Sequence, residues 1–189
     1  MSGTEKAKLC GTACETGAFS AIFGQSKSTN LSIDLSDVKP MVRMPCSSPE
    51  AQNTAAILPR DSVSGIRIHA GQIGGFTGGT IADMRKAAAL MEGRKLARGF
   101  RLSIVPATTA DYLEALNEGV IERFIDFNAQ IHAVGDKSVC TQGAGVIDSD
   151  ERLVTTGLYT YDGCMGSPGS FVYTASLETV IEAATTCEL

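Results

Sequence analysis

The second half of the chain alternates short apolar segments with amphipathic helical segments, and this alternation limits the possible folds more than any other feature of the sequence. Residue types typical of strands lie at 66–70, 102–105 and 130–134. Between them, apolar residues recur at helical spacing in 81–91 and 109–117, and after Gly119 a second apolar stretch follows at 120–125. Strands joined by helices of this length favour right-handed crossovers and a parallel sheet, so we predict an α/β domain.

The same pattern continues towards the C-terminus. Extended segments are predicted at 153–159 and 171–173. A last helix is predicted at 177–184, and Ser176 before it is a residue type that favours the N-cap position.

The first third of the chain has a different character. Small and apolar residues at helical intervals predict a helix over 5–23, although two glycines weaken it. The segment 27–59 is rich in Ser, Asn and Pro, which predicts an extended connector lying along a surface. We therefore divide the chain into an N-terminal helix and connector at 1–60 and an α/β domain at 61–189.

Charge and hydropathy exclude several classes of protein. The net charge is −5 and Lys and Arg form no run, so we expect no binding to nucleic acid or to an anionic membrane. No stretch approaches the roughly 20 consecutive apolar residues of a membrane span. The first residues lack the basic and apolar regions of a signal peptide. A cytoplasmic protein is expected.

The six cysteines are expected to stay reduced in that compartment, because they are too few and too scattered for a disulfide scaffold. Cys10 and Cys14 form the only close pair, and the predicted helix puts them on one face. We favour their interpretation as small core residues over metal binding, because no second pair has ligand spacing. No metal site is predicted.

A glycine-rich turn between a strand and a helix, at 72–80, is the most informative segment. Glycines let the backbone approach a ligand closely, and the free amides at a helix N-terminus favour an anion. The spacing matches neither the dinucleotide nor the P-loop pattern, so a purely structural turn stays an equally good interpretation. The candidate ligand-binding residues in this turn are Gly74, Gly75, Phe76, Thr77, Gly78, Gly79 and Thr80.

The segments that flank this turn resemble a known family. Gln72-Ile73-Gly74 with Thr77, followed by 82–88 and 93–95, is similar to the large subunit of isopropylmalate dehydratase in the aconitase family. The similarity continues in the same order at Ile33–Ser36, Pro40, Pro45, Gly145–Ile147, Gly163, Met165-Gly166 and Val172–Ser176. The resemblance implies an aconitase-like, three-layer α/β domain with a mainly parallel sheet, equivalent to the cluster-bearing domain of the family.

The cluster ligands are where this sequence departs from the family it resembles. The family holds a [4Fe–4S] cluster on three cysteine thiolates, and its open iron acts as a Lewis acid for moving water across a double bond. The resemblance places Phe76, Asp136 and Val139 at the three cysteine positions. Phe and Val cannot bind iron, and the neighbouring Cys140 could replace only one ligand. We therefore expect no iron–sulfur cluster and no other cofactor.

The segment that anchors the substrate in the family also differs. The resemblance implies Asn-Arg-Asn-Phe-x-Gly-Arg at 158–164, whose guanidinium groups hold carboxylates, but this chain has Leu-Tyr-Thr-Tyr-Asp-Gly-Cys there. The family's polycarboxylate is therefore not the expected substrate. With 189 residues, the chain is also expected to lack the family's other domains, so that any activity uses a site built differently.

The remaining candidates lie where the predicted parallel strands end, since ligands bind at the carboxyl ends of strands in open α/β sheets. The candidate catalytic residues are His132, Tyr161, Asp162 and Cys164, and the additional candidate ligand contacts are Tyr159 and Ser167. His69 is a further candidate base.

Each of these residue types has an ordinary structural alternative. A histidine in a strand is more often a satisfied structural residue, and Cys164 could simply fill the space of the missing arginine. Tyr159 and Tyr161 could line a pocket or pack in a core.

Two functions follow from these observations. The first is a cluster-free enzyme, a lyase or isomerase, acting on a small carboxylate or carbonyl compound. The second is a noncatalytic binding or interaction module, and fold likeness alone does not separate the two. We also expect the N-terminal helix and connector either to cover the domain's own surface or to form a homo-oligomer contact.

Overall fold

The computed structural model describes residues 1–24, 34–135, 141 and 145–189. It divides into two compact units, Met1–Pro40 and Met41–Leu189. Residues 41–59, predicted as connector, supply two strands to the sheet of the second unit, so this unit begins at Met41 rather than at residue 61.

Among the described residues of the N-terminal unit, the α-helix is α1 (Gly3–Gly11), which begins with a capping box between Ser2 and Glu5. The helix predicted over 5–23 therefore ends early, and a 3₁₀ turn at Ala13–Thr16 follows it. α1 has no buried residue, and Phe19 and Ile22 beyond it are exposed. Cys10 is half-buried and Cys14 exposed, so the expectation that this pair packs in a core was wrong.

Over its described residues, the second unit is built on a sheet of seven strands in the order β2-β1-β7-β6-β3-β4-β5. The strands are β1 (Met41–Arg43), β2 (Ile57–Pro59), β3 (Ala70–Gly74), β4 (Arg101–Val105), β5 (Gln130–Ile131), β6 (Arg152–Thr155) and β7 (Phe171–Thr174). From β7 to β5 all neighbouring strands are parallel, and β1 is antiparallel to both β7 and β2. The predicted α/β fold with a mainly parallel sheet is confirmed.

The helices of this unit agree closely with the sequence pattern, apart from the short α2, which lies in the segment predicted as a glycine-rich turn. They are α2 (Gly75–Gly78), α3 (Ile81–Met91), α4 (Thr109–Asn117), α5 (Val120–Asp126) and α6 (Leu177–Thr186). Ser176 caps α6 by accepting a hydrogen bond from the Thr179 amide at 3.3 Å, as predicted. Within the described residues, no helix has both the length and the apolar composition to cross a membrane.

The prediction for the first strand of the parallel sheet was wrong by four residues. The strand was expected at 66–70, but β3 begins at Ala70 and runs into the glycine-rich segment. Gly74 was interpreted as a turn residue, whereas it is the last residue of this strand and a Cβ there would lie 2.4 Å from the Val105 Cβ. A Cβ at Gly71, inside the strand, would lie 3.0 Å from the Phe100 ring. Glycine is therefore needed inside this strand because the neighbouring element approaches closely.

The two faces of the sheet are covered differently. Side chains alternate between faces, so Ile73 and Ile104 point to one face, where α3, α4, α5 and α6 form the main core with them. Ala70 and Leu153 point to the other face and pack against Ile147, Cys164 and Met165. The predicted three-layer arrangement is present, and the described part of this outer layer consists mainly of irregular segments.

At the carboxyl edge, the chain leaving β3 lies almost against β4. A Cβ at Gly74 would lie 2.4 Å from the Val105 Cβ, and one at Gly79 would lie 2.2 Å from the Val105 carbonyl oxygen. The Gly79 carbonyl accepts a hydrogen bond from the Ala107 amide at 2.8 Å. Backbone therefore packs on backbone here, and no larger residue fits at either position.

We expect Gly79→Ala to lower the free energy of unfolding by about 2–3 kcal/mol, because the new methyl group meets fixed backbone atoms. The measurement is urea denaturation followed by circular dichroism. Thr77→Ala in the same turn is the control: it removes only a 3.3 Å hydrogen bond to the Gly74 carbonyl and costs about 1 kcal/mol. Equal stability of Gly79→Ala and the unmodified protein would contradict this packing.

Candidate active site

The point at which the chain changes direction in the sheet lies between β3 and β6. After β3 the chain continues to β4 on one side, and after β6 it continues to β7 on the other. Neighbouring parallel strands whose connections diverge in this way leave a crevice beyond their carboxyl ends. The glycine-rich segment after β3 and the segment after β6 border this crevice.

The glycine-rich segment closes tightly against the start of the segment after β6. The Gly74 amide donates to Thr156 Oγ1 at 3.1 Å, and a Cβ at Gly78 would come within 2.2 Å of the same oxygen. Gly74, Gly75, Gly78 and Gly79 are buried. Their small size therefore serves close packing of the chain.

Three larger residues of the segment reach the surface. Phe76, Thr77 and Thr80 are half-buried, and Gly75 before them has a φ of +62° that turns the chain into α2. Of the predicted ligand contacts in this segment, these three are the ones whose side chains are available to a ligand.

The amides at the start of α3 are used by the protein itself. Thr80 N donates to Asp83 Oδ2 at 3.2 Å, which confirms the predicted capping box. The Ile81 amide donates to Asp111 Oδ1 at 2.8 Å. The anion position expected at this helix N-terminus is therefore taken by the carboxylates of Asp83 and Asp111.

A row of buried polar side chains crosses the sheet on the face opposite the main core. Gln72 is in register with Ser103 on β4 and with Thr155 on β6, and all three are buried. Thr155 Oγ1 donates to Gln72 Oε1 at 3.1 Å and accepts from the Gly157 amide at 2.9 Å. Burying polar groups costs free energy unless they are hydrogen-bonded, so a row of them inside a sheet points to a function.

His132 lies at the end of this row, next to a cavity. It follows β5, and its Nε2 is 3.0 Å from Ser103 Oγ. Together with Tyr112, Ile131, Ala133 and Val134 it lines a cavity of about 290 Å³. The structure thus places a half-buried histidine at the carboxyl edge of the sheet, between a buried hydroxyl and a cavity.

Ser103 was not among the predicted site residues. The signal that could have found it is a single hydroxyl in the otherwise apolar segment Leu102–Val105. The pairing of Ser103 with Gln130, two residues before His132, depends on the register of β4 and β5. Sequence patterns do not give that register.

The second histidine is at the opposite edge of the sheet. His69 directly precedes β3, and its Nδ1 accepts a hydrogen bond from the Arg152 amide at 3.0 Å. Because the ring joins the amino ends of β3 and β6, His69 has a structural role and is not part of the candidate site.

The segment after β6 is hydrogen-bonded to two residues of the segment that was predicted as a connector. Buried Gln52 donates to the Leu158 carbonyl at 2.8 Å and accepts from the Thr160 amide at 2.9 Å. Arg43 donates to the same Leu158 carbonyl at 3.1 Å. This segment, where the family resemblance implies substrate-binding arginines, is thereby fixed in place.

The predicted site residues of this segment differ in their solvent exposure and in their contacts. The rings of Tyr159 and Tyr161 meet edge to face with centroids 6.1 Å apart, both are half-buried, and desolvation raises the pKa of Tyr161. Asp162 is exposed. Ser167 shares a 2.7 Å hydrogen bond with Ser149.

Cys164 is a core residue. Its side chain is completely buried in the cluster with Ile147 and Met165, and its thiol donates weakly to the Tyr159 carbonyl. Burial raises the pKa of the thiol to about 12, so the reactive thiolate is not populated at neutral pH. The structure therefore supports the space-filling interpretation and argues against a nucleophile at this position.

A larger cavity, of about 350 Å³, lies elsewhere between the ends of α3 and α5 and is lined by Met91, Phe127, Arg94 and Arg123 among others. Those helices end where the chain turns back towards the amino ends of β4 and β5. None of the predicted site residues lines it, and catalytic groups in parallel sheets gather at the other edge. We therefore place the candidate site at the smaller cavity.

Comparison with known proteins decides the family. The model of the aconitase family (aconitate hydratase) matches residues 25–187. The chain belongs to the aconitase family. It is 34% identical over 161 residues to the 3-isopropylmalate dehydratase large subunit of Oleidesulfovibrio alaskensis, covering 85% of this chain and 37% of that protein.

Two further large subunits of 3-isopropylmalate dehydratase are similar to this aconitase-family chain. The one from Acetivibrio thermocellus is 39% identical over 145 residues, covering 76% of this chain and 33% of the relative. The one from Nitratidesulfovibrio vulgaris is 33% identical over 180 residues, covering 94% and 41%. The chain therefore spans well under half the length of these curated relatives.

The residues that the structure describes do not fit the iron–sulfur cluster implied by the family resemblance. Phe76, at the first ligand position, offers carbon only, and Asp136 and Val139 lie outside the described residues. Among the described residues, no group of three or more His, Cys, Asp or Glu side chains is placed to hold a metal ion. A three-thiolate site is not assembled from these residues.

We expect Cys164 to resist alkylation in the folded protein, because its raised pKa leaves only about 10⁻⁴ of the thiol ionised at pH 8. The measurement is iodoacetamide labelling followed by peptide mass spectrometry. Exposed Cys14 is the internal control and is expected to react fully. Labelling of Cys164 as fast as Cys14 in native protein would restore it as a candidate nucleophile.

Proposed function

We propose that this chain is a cluster-free aconitase-family domain that acts as a lyase or isomerase on a small molecule with a carbonyl or carboxylate group. The observation that carries this proposal is His132, which is hydrogen-bonded to buried Ser103 and lines a cavity at the carboxyl edge of the sheet. Histidine is the side chain best suited to accept and return a proton near neutral pH.

The proposed chemistry needs no metal. The imidazole of His132 takes a proton from a carbon next to the substrate carbonyl, and the electron pair of the broken C–H bond moves towards the carbonyl oxygen as an enolate. Return of the proton to another carbon completes an isomerisation, whereas expulsion of a leaving group from the adjacent carbon completes an elimination. Both outcomes use the same first step.

The other residues have binding roles in this proposal. Phe76, Thr77 and Thr80 of the glycine-rich segment, and Tyr159 and Ser167 of the segment after β6, are the proposed ligand contacts outside the cavity. The cavity itself is lined by His132 with Tyr112, Ile131, Ala133 and Val134. Tyr161 keeps its proton at neutral pH, as tyrosine ordinarily does, and desolvation raises its pKa further; its hydroxyl is therefore available to donate a hydrogen bond to a developing oxyanion. Asp162, which is exposed, has the weakest structural support among the proposed catalytic residues.

We expect His132→Gln to lower proton exchange by about 100-fold or more, because Gln retains a hydrogen-bonding group near the Nε2 position but cannot accept the proton. The probes are 2-oxobutyrate and the uncharged ketone butanone in D₂O. Proton NMR measures the loss of signal from the carbon next to the carbonyl.

His69→Asn is the matched control, since the Asn side-chain oxygen can accept the Arg152 amide in place of Nδ1 and full exchange is expected. Equal exchange by His132→Gln and the unmodified protein would exclude His132 as the base. Absence of protein-catalysed exchange with both probes would count against an enzyme acting on this class of compound.

We expect the full chain, after anaerobic incubation with ferrous iron and sulfide, to bind no stoichiometric cluster, because Phe76 contributes no ligand. The measurements are iron and acid-labile sulfide per chain after desalting, together with the visible absorption of thiolate-bound iron. The 3-isopropylmalate dehydratase large subunit of Acetivibrio thermocellus, treated in parallel, serves as the comparison. A brown protein with bound iron and sulfide in equal amounts would refute the cluster-free proposal.

A noncatalytic interaction module is the second candidate. Leu113 and Leu116 on α4 and Ile125 on α5 are each more than half exposed, which favours a partner surface more than a solvent surface. The exposed apolar residues of the N-terminal unit are consistent with this candidate and with a homo-oligomer. A protein that self-associates in analytical ultracentrifugation and exchanges protons with neither probe would fit the second candidate.

A further inference from the structure

The larger cavity, between the C-terminal ends of α3 and α5, lies outside the candidate site. Its volume is about 350 Å³, within the range of roughly 300–1,000 Å³ that is usual for small-molecule sites. Ala88 and Met91 of α3 and Phe127 after α5 form its apolar floor, and all three are buried residues of the main core. A small apolar group can therefore pack on this floor and leave water.

Four charged residues form the rim of this cavity. Glu92 and Arg94 lie in the turn after α3, where Gly93 with a φ of +72° ends the helix. Arg123 and Asp126 belong to α5. All four are exposed. Guanidinium groups and carboxylates in equal number thus border the apolar floor, and their charges sum to zero.

The protein does not pair these rim charges with one another. Arg123 and Asp126 are three residues apart on α5, a spacing at which opposite charges commonly pair. Within the part of the chain that the structure describes, however, no ion pair and no side-chain hydrogen bond involves any of the four rim residues. On the same helix α3, by contrast, Arg85 is paired with Glu114 and Glu118. A ligand that binds the rim residues therefore breaks no existing ion pair.

The mixture of charges selects the kind of ligand. A simple anion would meet the carboxylates of Glu92 and Asp126 and the partial negative charge at the C-terminal end of α3. A simple cation would meet the guanidinium groups of Arg94 and Arg123. A zwitterion suits both kinds of group. Its carboxylate can bind the planar donors of a guanidinium group, and its ammonium can bind the carboxylates.

We propose that this cavity binds a free α-amino acid with an apolar side chain. Arg94 and Arg123 hold its carboxylate, Glu92 and Asp126 hold its ammonium, and its side chain packs on the apolar floor. The proposal is independent of the proposed function, because neither His132 nor any other candidate site residue lines this cavity. A ligand bound here is not the substrate of the candidate site.

The test compares three probes with the same apolar body and different charges. They are L-phenylalanine, 3-phenylpropanoate, which lacks the ammonium group, and 2-phenylethylamine, which lacks the carboxylate. Each is titrated into the ¹⁵N-labelled unmodified chain near neutral pH, and the amide NMR shifts give the dissociation constant. We expect L-phenylalanine to bind about 10-fold more tightly than either analogue, because it makes both charge-assisted interactions, and to shift the amides of Gly93 and Phe127.

Two double variants test the role of each kind of charge. Arg94→Gln combined with Arg123→Gln is expected to weaken binding of L-phenylalanine by about 10-fold or more and to leave 2-phenylethylamine bound no more weakly. Glu92→Gln combined with Asp126→Asn is expected to weaken binding of L-phenylalanine as well, but to leave 3-phenylpropanoate bound no more weakly.

Lys95→Gln combined with Arg98→Gln is the matched control. Both residues are exposed, lie between α3 and β4 and do not line the cavity. Their replacement removes the same charge as the replacement of the two rim arginines, and binding of L-phenylalanine should be unchanged. Equal weakening by this control would reveal a general charge effect and overturn the proposal.

The titration of the unmodified chain gives two further ways to refute the proposal. One is the absence of any saturable shift with L-phenylalanine, and the other is equal binding of L-phenylalanine and one of its analogues. If a double variant does not fold, the position of the shifts in the unmodified chain decides. Shifts at Gly93 and Phe127 support binding in the cavity, and shifts confined to other parts of the chain exclude it.

Discussion

The close approach of backbone to backbone at the carboxyl end of β3 is the constraint on which the rest of the sheet domain depends. Gly74 and Gly79 lie so near Val105 that a single methyl group would overlap its atoms. This contact sets how near the chain between β3 and α3 lies to β4, and the hydroxyl of Thr156 fastens the same segment to β6. The carboxyl edge of the sheet near the change of direction is therefore built from closely packed elements, which suits a site with oriented groups.

The two faces of the sheet have different roles, one in stability and the other in the proposed chemistry. The helix-covered face contains the large apolar core, whereas the other face carries Gln72, Ser103 and Thr155 in one row across three strands. Parallel strands place such residues side by side, because residues in register share a face. A proton-transfer group at the end of this row, His132, can be supported from inside the protein. The family's cluster chemistry would instead depend on thiolates, and Phe76 stands at the first of those positions.

Much of the architecture was predictable, and the errors have physical causes. Helices α3, α4, α5 and α6 follow from apolar spacing and N-caps, and their ends were placed to within about two residues. β3 was misplaced because glycine favours turns on average, while in this strand it permits close contact with Phe100 and Val105. The connector was predicted to be extended, but the sequence did not show that two segments of 41–59 join the sheet, since their pairing is a long-range interaction.

The sequence by itself determined the family, the α/β class and the presence of phenylalanine rather than cysteine at position 76, because these depend on residue identity and local periodicity. It also pointed to His132 and to the segments that border the crevice. Only the tertiary structure showed that His132 lines a cavity whereas His69 has a structural role. It also showed that Cys164 is buried and that Ser103 is hydrogen-bonded to His132. These decisions depend on burial and on the register of neighbouring strands, which bring together residues that are far apart along the chain and leave no local pattern in it.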